Sequence, residues 1–339
     1  MTGSRSQRHG WAWCAGAAVL FGAATPAIKL LVDDAGAVVL AGLLYLGAAL
    51  AVAPIALRDP RPSATTPQRA RLALAVAVGG GVAPVLLVLA LDRTPAGTVS
   101  LLLNLELVAT AVIAWLFLHE HIGARTAVGI VTVVAGGVVL AGTGSGFTAG
   151  ALLVLGACIC WGIDNAITAS LDSYSPAQIT LTKGVVAGTV NLVLGLALTG
   201  VPSARVIVVA LCIGALGYGV SITMWITGAR LVGAARGQTI FALAPFIGAV
   251  LAWPLNGEAP TRTLLVAFGV SLTGVLLVAS GRHVHAHTHE PFEHTHPIDT
   301  DDPHHAPGTI EVLDGQQHRH LVLAHAHEHL PDIHHRHTH

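Results

Sequence analysis

The chain has 339 residues, of which 53% are hydrophobic and only 10% are charged, and its formal net charge at pH 7 is −1. Soluble domains carry about a quarter charged residues, so most of this chain is expected to be solvated by lipid. The near-zero net charge and the lack of a basic stripe argue against a nucleic-acid partner. The composition therefore predicts an integral membrane protein.

Long apolar runs recur along the chain, and each reaches the length of about 20 residues that a helix needs to cross the hydrocarbon. They lack the alternation that is typical of barrel strands, so the predicted fold class is an all-α integral membrane protein with ten transmembrane helices. The first run is interpreted as a span and not as a signal peptide, because no clear cleavage site ends it. The predicted spans cover residues 11–32, 36–57, 71–91, 96–118, 126–143, 148–170, 177–199, 204–227, 233–255 and 262–280.

Loop charges predict the orientation, because arginine and lysine are enriched in cytoplasmic loops. With a cytoplasmic N-terminus, ten arginines lie on the cytoplasmic side: Arg5, Arg8, Arg58, Arg61, Arg69, Arg71, Arg125, Arg230, Arg236 and Arg282. The opposite side holds Arg93, Arg205 and Arg262. The sequence therefore predicts a multi-pass protein of the cytoplasmic membrane with both termini in the cytoplasm.

The two halves of the apolar region repeat each other. Phe21-Gly22 matches Trp161-Gly162 at an offset of about 140 residues, and Trp115 and Glu120 match Trp253 and Glu258 at a slightly shorter offset. Because each half holds five spans, an odd number, the second copy is expected to be inverted relative to the first. The predicted domains are two five-helix repeats, residues 11–145 and 146–281, and a tail, residues 282–339. Chance similarity among helices rich in small residues is the alternative.

Four segments resemble the drug/metabolite transporter superfamily and, within it, EamA-type members: Phe21–Leu31, Ala41–Leu50, Arg93–His121 and Cys160–Ile167. The resemblance covers roughly residues 11–280 and leaves the tail out. It implies ten helices in two inverted repeats and the movement of small solutes across the cytoplasmic membrane. It is specific for the fold and uninformative about the substrate.

Four charged residues lie well inside predicted spans, one of each sign in each half: Lys29, Glu106, Asp164 and Lys183. A charge at mid-membrane costs about 2.5–3.5 kcal/mol, so such residues are expected to bind substrate or to carry protons. Static pairing of Lys29 with Glu106 and of Asp164 with Lys183 is the alternative, and both lysines could also extend toward the interface.

Four neutral residues accompany these charges: Asn104, Trp161, Asn165 and Asn191. They are candidates for the wall of a central polar cavity, although an asparagine in lipid can equally hydrogen-bond two helices and Trp161 can simply pack. Pro26 is a candidate kink where freed carbonyls could face such a cavity.

The composition changes abruptly after Gly281, and seventeen of the 20 histidines lie in the tail. Low hydrophobicity and repeated proline predict a tail that is mostly disordered. One hairpin is predicted around the Asp314-Gly315 turn, between residues 309–313 and 316–323.

The tail histidines are candidate ligands for Zn²⁺, Ni²⁺, Co²⁺ or Cu²⁺, because neutral imidazole binds these ions well. The candidates alternate locally with other residues: His283, His285, His287, His289, His325, His327, His329, His334, His335, His337 and His339. A neutral solubilising tail and an incidental low-complexity expansion are the alternatives.

The sequence as a whole favours a secondary active transporter, interpreted as an exporter of a small metabolite, with the bilayer, the solute and metal ions at the tail as its partners. No cofactor is expected to be required, and a homodimer is compatible with the sequence. A transporter of Zn²⁺, Ni²⁺ or Co²⁺ and a non-transporting metal sensor or store are the competing interpretations. An enzyme is not expected, because no nucleophile and base are paired within the spans.

Overall fold

In the computed structural model, two units are distinguished, Met1–Ser280 and Gly281–His339. The described residues are 2–118, 122–142, 149–171, 173–232 and 234–279 of the first unit, and 283–289, 293–295, 310–314, 317–320 and 323–329 of the second. Glu120 of the predicted repeat lies outside them.

The described part of the first unit is helical. Its first half contains α1 (Thr2–Lys29), α2 (Ala37–Ala56), α3 (Thr66–Ala75), the π-helix π1 (Val76–Val82), α4 (Ala83–Arg93), α5 (Ala96–Leu102), α6 (Leu105–Leu118) and α7 (Ala124–Ala141). Its second half contains α8 (Ala149–Thr168), α9 (Pro176–Thr199), α10 (Ala204–Gly214), the π-helix π2 (Ala215–Val220), α11 (Ser221–Val232), α12 (Ala234–Phe241), α13 (Ala244–Asn256) and α14 (Arg262–Ala279).

Over the described residues these elements form ten helices that are long and apolar enough to cross a membrane, numbered here as spans 1 to 10. They are Arg8–Lys29, Ala37–Ala56, Thr66–Arg93, Ala96–Phe117, Ala124–Ala141, Ala149–Thr168, Pro176–Thr199, Ala204–Ala229, Gly237–Asn256 and Arg262–Ala279. The predicted all-α membrane fold with ten spans is confirmed.

The irregular parts of the spans follow the repeat. Span 3 contains π1 and span 8 contains π2. Span 4 is interrupted between α5 and α6, and span 9 is interrupted between α12 and α13, where Pro245 opens the new helix. Interruptions at equivalent places in two halves are typical of transporters built from repeats, because freed backbone groups can then face a cavity.

The contacts between helices have the same two-fold pattern. Span 2 packs on span 7 and span 5 on span 10, so each of these pairs joins equivalent helices. Span 1 contacts spans 8 and 9, and span 6 contacts the equivalent spans 3 and 4. This arrangement is what two inverted five-helix repeats require.

Glycines allow the helices of the two halves to approach closely. Gly42 of span 2 and Gly188 of span 7 face each other: a Cβ on Gly42 would overlap the backbone of span 7, and a Cβ on Gly188 would lie 3.0 Å from the backbone of span 2. Gly22 and Gly162, which are equivalent in the repeat, lie against the backbones of spans 9 and 4. Close packing of small residues stabilises helix association in lipid, where apolar burial against a neighbour gains little.

The last residue of span 9 and the loop that follows it hold the ends of two helices of the first half. Asn256 Nδ2 donates to the Pro26 carbonyl at 3.1 Å, and the Glu258 carboxylate accepts from the backbone N–H groups of Ala96 and Gly97 at the start of α5. A carboxylate at a helix N-terminus is favourable for the helix dipole. This contact gives Glu258 a structural role at the junction of the two repeats.

Large apolar side chains cover the outside of the bundle. Val131, Val193 and Leu198, for example, are 67%, 61% and 73% exposed although each lies within a span. Exposure of this kind on membrane-length helices indicates a surface solvated by lipid.

The second unit contains five short strands in its described residues: β1 (His283–His289), β2 (Glu293–Thr295), β3 (Ile310–Asp314), β4 (Gln317–His320) and β5 (Leu323–His329). Antiparallel pairing joins β1 with β5, and β4 with both β2 and β3. The predicted hairpin at Asp314-Gly315 corresponds to β3 and β4. In these segments strands replace the predicted disorder, since residues that alternate with period two suit a strand; for the rest of the tail disorder stays a prediction.

Candidate functional site

The break in span 4 lies inside the membrane and places Glu106 in the first turn of α6. Leu103 and Asn104 separate α5 from α6, and Asn104 Nδ2 donates to the Leu101 carbonyl at 2.9 Å, which satisfies part of the interrupted backbone. Negative charge is favoured at a helix N-terminus. The break therefore supplies both a local polar environment and a favourable dipole for the carboxylate.

Glu106 is half-buried, and amide and hydroxyl groups are its neighbours. Asn165 Nδ2 of span 6 donates to Glu106 Oε1 at 3.0 Å and lies 3.3 Å from Thr110 Oγ1. Among the described residues, no lysine, arginine or histidine nitrogen lies within 4.0 Å of the carboxylate. Glu106 thus has one amide hydrogen-bond donor, and its carboxylate has no ion-pair partner within 4.0 Å among the described residues.

Lys29 does not pair with Glu106. It ends α1, and its Nζ donates to the Leu91 carbonyl of span 3. The alternative of a static Lys29–Glu106 pair is therefore wrong, because Lys29 lies at the end of span 1 whereas Glu106 lies near the middle of span 4. The lysine adopts the arrangement in which a long side chain reaches toward a helix end.

Asp164 and Lys183 form an ion pair, which the sequence left open as an alternative to a role in transport. Lys183 Nζ lies 2.6 Å from Asp164 Oδ1, and the two side chains are 7% and 14% exposed for Asp164 and Lys183 respectively. Thr168 Oγ1 donates to Asp164 Oδ1 at 3.1 Å and lies 3.4 Å from Lys183 Nζ. The pair is thus compensated in charge and supported by a hydroxyl one helical turn away.

The π-helix of span 3 lies directly against this pair. A Cβ at Gly79 would overlap the Asp164 carboxylate, so only glycine fits there without a shift. The extra residue of a π-helix leaves carbonyls without their usual partners. Two side chains satisfy the Gly79 carbonyl, since Tyr45 Oη donates to it at 2.7 Å and Trp161 Nε1 at 3.2 Å.

Asn191 has the same relation to the next freed carbonyl, because its Nδ2 donates to the Gly81 oxygen at 3.0 Å. The structure therefore places two predicted site residues, Trp161 and Asn191, on the backbone of π1. Glu106, Asn165, Asp164 and Lys183 are brought together around span 6, whereas Lys29 lies elsewhere.

Aromatic side chains extend the site toward the second half. Phe21 and Tyr218 have ring centroids 5.7 Å apart, Tyr218 and Tyr45 6.2 Å, and Phe21 and Phe241 5.1 Å. These four residues are called here the aromatic cluster. Sequence reasoning missed Tyr45, whose tyrosine hydroxyl within an apolar span was the available signal, and missed Gly79, which a Gly-Gly-Gly run only hints at.

For the tail histidines, strand pairing gives the register of the backbone. Residues i and i+2 share one face of a strand, and directly paired residues share the same face of a sheet. The β1–β5 register pairs His283 with His329, His285 with His327, and His287 with His325. His289 lies on the same face, and His334, His335, His337 and His339 lie outside the described residues. Within the described spans no group of three metal-ligating side chains occurs.

Ten membrane-length helices with a two-fold contact pattern, broken helices and charges at their interface are features of membrane carriers built from inverted repeats. The comparison with known proteins is more specific. The EamA-like transporter family matches residues 8–142 and again residues 148–280, so the chain belongs to that family.

Two relatives are similar to this chain at low sequence identity. A probable terminal-alkyne amino-acid exporter of Streptantibioticus cattleyicolor is 28% identical over 77% of this chain and 90% of its own length. An uncharacterized transporter of Methanothermobacter thermautotrophicus is 27% identical over 58% of this chain and 60% of its own length. A protein of known crystal structure has a TM-score of 0.54 at 16% identity, over 81% of this chain and 96% of that one, which concerns the fold alone.

Proposed function

We propose that this transporter exports a small zwitterionic metabolite of the amino-acid class. The observation that carries the proposal is the Glu106 carboxylate, which lies inside a span with an amide donor but with no cationic nitrogen of the described residues within 4.0 Å. Keeping a charge in the bilayer costs about 2.5–3.5 kcal/mol even on mild scales. A substrate ammonium group or a proton is the partner that offsets this cost during transport.

The Asp164–Lys183 pair supplies the contact for the substrate carboxylate. A substrate carboxylate can attract the Lys183 ammonium group, and Thr168, which already lies near both charged groups, can accept the remaining hydrogen bonds. The aromatic cluster offers an apolar wall for the substrate side chain. Two repeats that rock around these residues would expose them alternately to the two sides of the membrane, driven by a proton or solute gradient.

The printed name of the Streptantibioticus relative, an amino-acid exporter, supports the substrate class and the direction. The arginine distribution supports the cytoplasmic membrane as the location, with both termini in the cytoplasm. We propose residues 11–145 and 146–281 as the two repeats and a homodimer as the assembly, which the mass of the purified complex would test.

Uptake into proteoliposomes tests the substrate class. Uptake of labelled neutral amino acids by transporters inserted with their cytoplasmic side outward should be saturable. Unlabelled zwitterionic amino acids should compete with this uptake. Methyl esters, which lack the carboxylate, and N-acetyl derivatives, which lack the ammonium group, should compete at least tenfold more weakly, because each loses one charged contact. Equal competition by all three forms would contradict recognition of a zwitterion.

A metal-binding role of the tail is the second part of the proposal. The β1–β5 register pairs three histidines with three others along the backbone, and imidazole is a good ligand for Zn²⁺ or Ni²⁺. We infer that the tail buffers or senses cytoplasmic metal. Metal as the cargo is disfavoured, since a cation that crosses the core needs replacements for its water ligands and the described spans offer no cluster of them.

A further inference from the structure

A cavity of about 740 Å³ opens on the outside of the helical bundle, between spans 3 and 7. Leu72, Ala77 and Val82 line it from span 3, and Val186 and Val190 line it from span 7. Its volume is within the range of sites that hold small molecules. Because Val82, Val186 and Val190 are about half exposed, the cavity faces the lipid rather than the centre of the bundle.

The cavity is a groove that runs along span 3. Its lining residues on span 3 extend from Arg69 to Leu86, a distance of about 25 Å at the helical rise of 1.5 Å per residue. Its deeper polar groups are already engaged, since Thr182 Oγ1 donates to the Gln178 carbonyl at 2.7 Å and Asn191 Nδ2 donates to the Gly81 carbonyl at 3.0 Å. These two side-chain donors of the wall are therefore not free to bind a ligand.

The mouth of the groove carries the available polar groups, Arg69 and Tyr174. Arg69 is exposed, and no carboxylate among the described residues lies within 4.0 Å of it. Arg71, two residues further on, has only the Ser170 hydroxyl at 3.5 Å. An uncompensated cation at one end of an apolar groove about 25 Å long is complementary to a phospholipid, whose acyl chains are apolar and whose headgroup carries a phosphate.

We propose that this groove binds one anionic phospholipid of the surrounding bilayer, with an acyl chain along spans 3 and 7 and the headgroup phosphate at Arg69. Basic pockets between transmembrane helices select anionic headgroups, because each nearby arginine contributes attraction that zwitterionic lipids offset with their own cation. The proposal is independent of the transported substrate.

The bound lipid can affect the central residues indirectly, through the two helices that form the groove. Ala187, which lines the groove, lies one helical turn beyond Lys183 on α9. The opposite wall includes Gly81 of π1, two residues from Gly79, which contacts Asp164. A lipid between spans 3 and 7 therefore stabilises the spacing of the two helices that frame the Asp164–Lys183 pair.

Native mass spectrometry of the full chain tests the proposal with phosphatidylglycerol and phosphatidylcholine as probes. The wild type should retain one phosphatidylglycerol in preference to phosphatidylcholine. Arg69→Ala should weaken that retention about fivefold, the equivalent of about 1 kcal/mol for one arginine. The matched control Arg61→Ala, an exposed arginine outside the groove, should leave it unchanged.

A second pair of variants tests the groove itself. Ala77→Leu fills its lining and should remove the bound lipid, whereas Ala70→Leu, exposed on α3 but outside the lining, should not. Equal retention of the two lipids by the wild type would overturn the proposal, as would equal effects of the two arginine variants or of the two leucine variants. A wild type with the mass of a dimer and an Ala77→Leu variant with the mass of a monomer would also overturn the proposal. In that case a second copy of the chain, and not a lipid, would occupy the groove.

Discussion

Replacing Asp164 and Lys183 singly and then together should separate the stability of their pair from its role in transport. The pair joins spans 6 and 7 through an Nζ–Oδ1 distance of 2.6 Å, and both side chains are at least 86% buried, since their exposures are 7% and 14%. Asp164→Asn keeps the shape of the side chain beside Gly79 and removes its charge. Lys183→Met keeps most of the apolar stem.

Each single variant leaves one buried charge without its partner, which costs about 3–5 kcal/mol in proteins. We expect the lower end for Asp164→Asn, because Thr168 Oγ1 remains 3.4 Å from Lys183 Nζ and can accept a hydrogen bond. The double variant removes both charges, and replacing a buried pair by neutral groups is often close to neutral in stability. The coupling free energy between the two positions should therefore be at least about 2 kcal/mol.

Reversible unfolding in mixed micelles, followed by tryptophan fluorescence, measures these free energies for the four proteins. Transport by the double variant should stay low even though its stability recovers, because the charges that receive the substrate are gone. A double variant whose loss of stability equals the sum of the two single losses would refute the pair as a coupled unit. A double variant that transports like the wild type would refute its role in recognition.

Three further changes test other contacts. Gly79→Ala should lower the free energy of unfolding by about 1–3 kcal/mol and reduce transport, because the added Cβ overlaps the Asp164 carboxylate. Its control is Gly81→Ala, whose added Cβ lies 3.7 Å from the nearest atom and should change neither stability nor transport. Glu258→Gln should lower the unfolding free energy by about 1 kcal/mol through its weaker cap on α5, with Asp92→Asn, a half-exposed carboxylate, as control. A chain that ends at Arg282 should keep transport and lose binding of Ni²⁺ in calorimetry; unchanged binding would exclude the tail histidines as the ligands.

The helical fold could be predicted because hydropathy alone counts the spans. The repeat was also readable, since Phe21-Gly22 and Trp161-Gly162 recur for a packing reason that the structure shows, the contact of each glycine with a neighbouring backbone. A pair of Asp164 and Lys183 could be raised as an alternative from their opposite charges, and it forms because a short loop joins the helix ends near which they lie.

Other parts of the site had no local signal. The π-helices depend on partners distant in sequence, such as Tyr45 and Trp161 on the Gly79 carbonyl, and no pattern within span 3 encodes those contacts. Lys29 and Glu106 looked like a second pair because their charges are opposite, but the depth of each residue in its own span separates them. Depth is set by where each helix begins and ends, and this is the least certain quantity in a hydropathy reading.

Transport by Glu106→Gln tests the central claim most directly. Glutamine keeps the size and the hydrogen bond from Asn165 but cannot carry a negative charge or a transferable proton. In proteoliposomes with an imposed pH gradient, we expect this variant to lose at least tenfold in amino-acid flux while its unfolding free energy stays within about 1 kcal/mol of the wild type. The control Asp34→Asn, a loop carboxylate, should transport normally. Flux by Glu106→Gln at the level of that control would contradict the assignment of Glu106 as the group that receives the substrate or the proton.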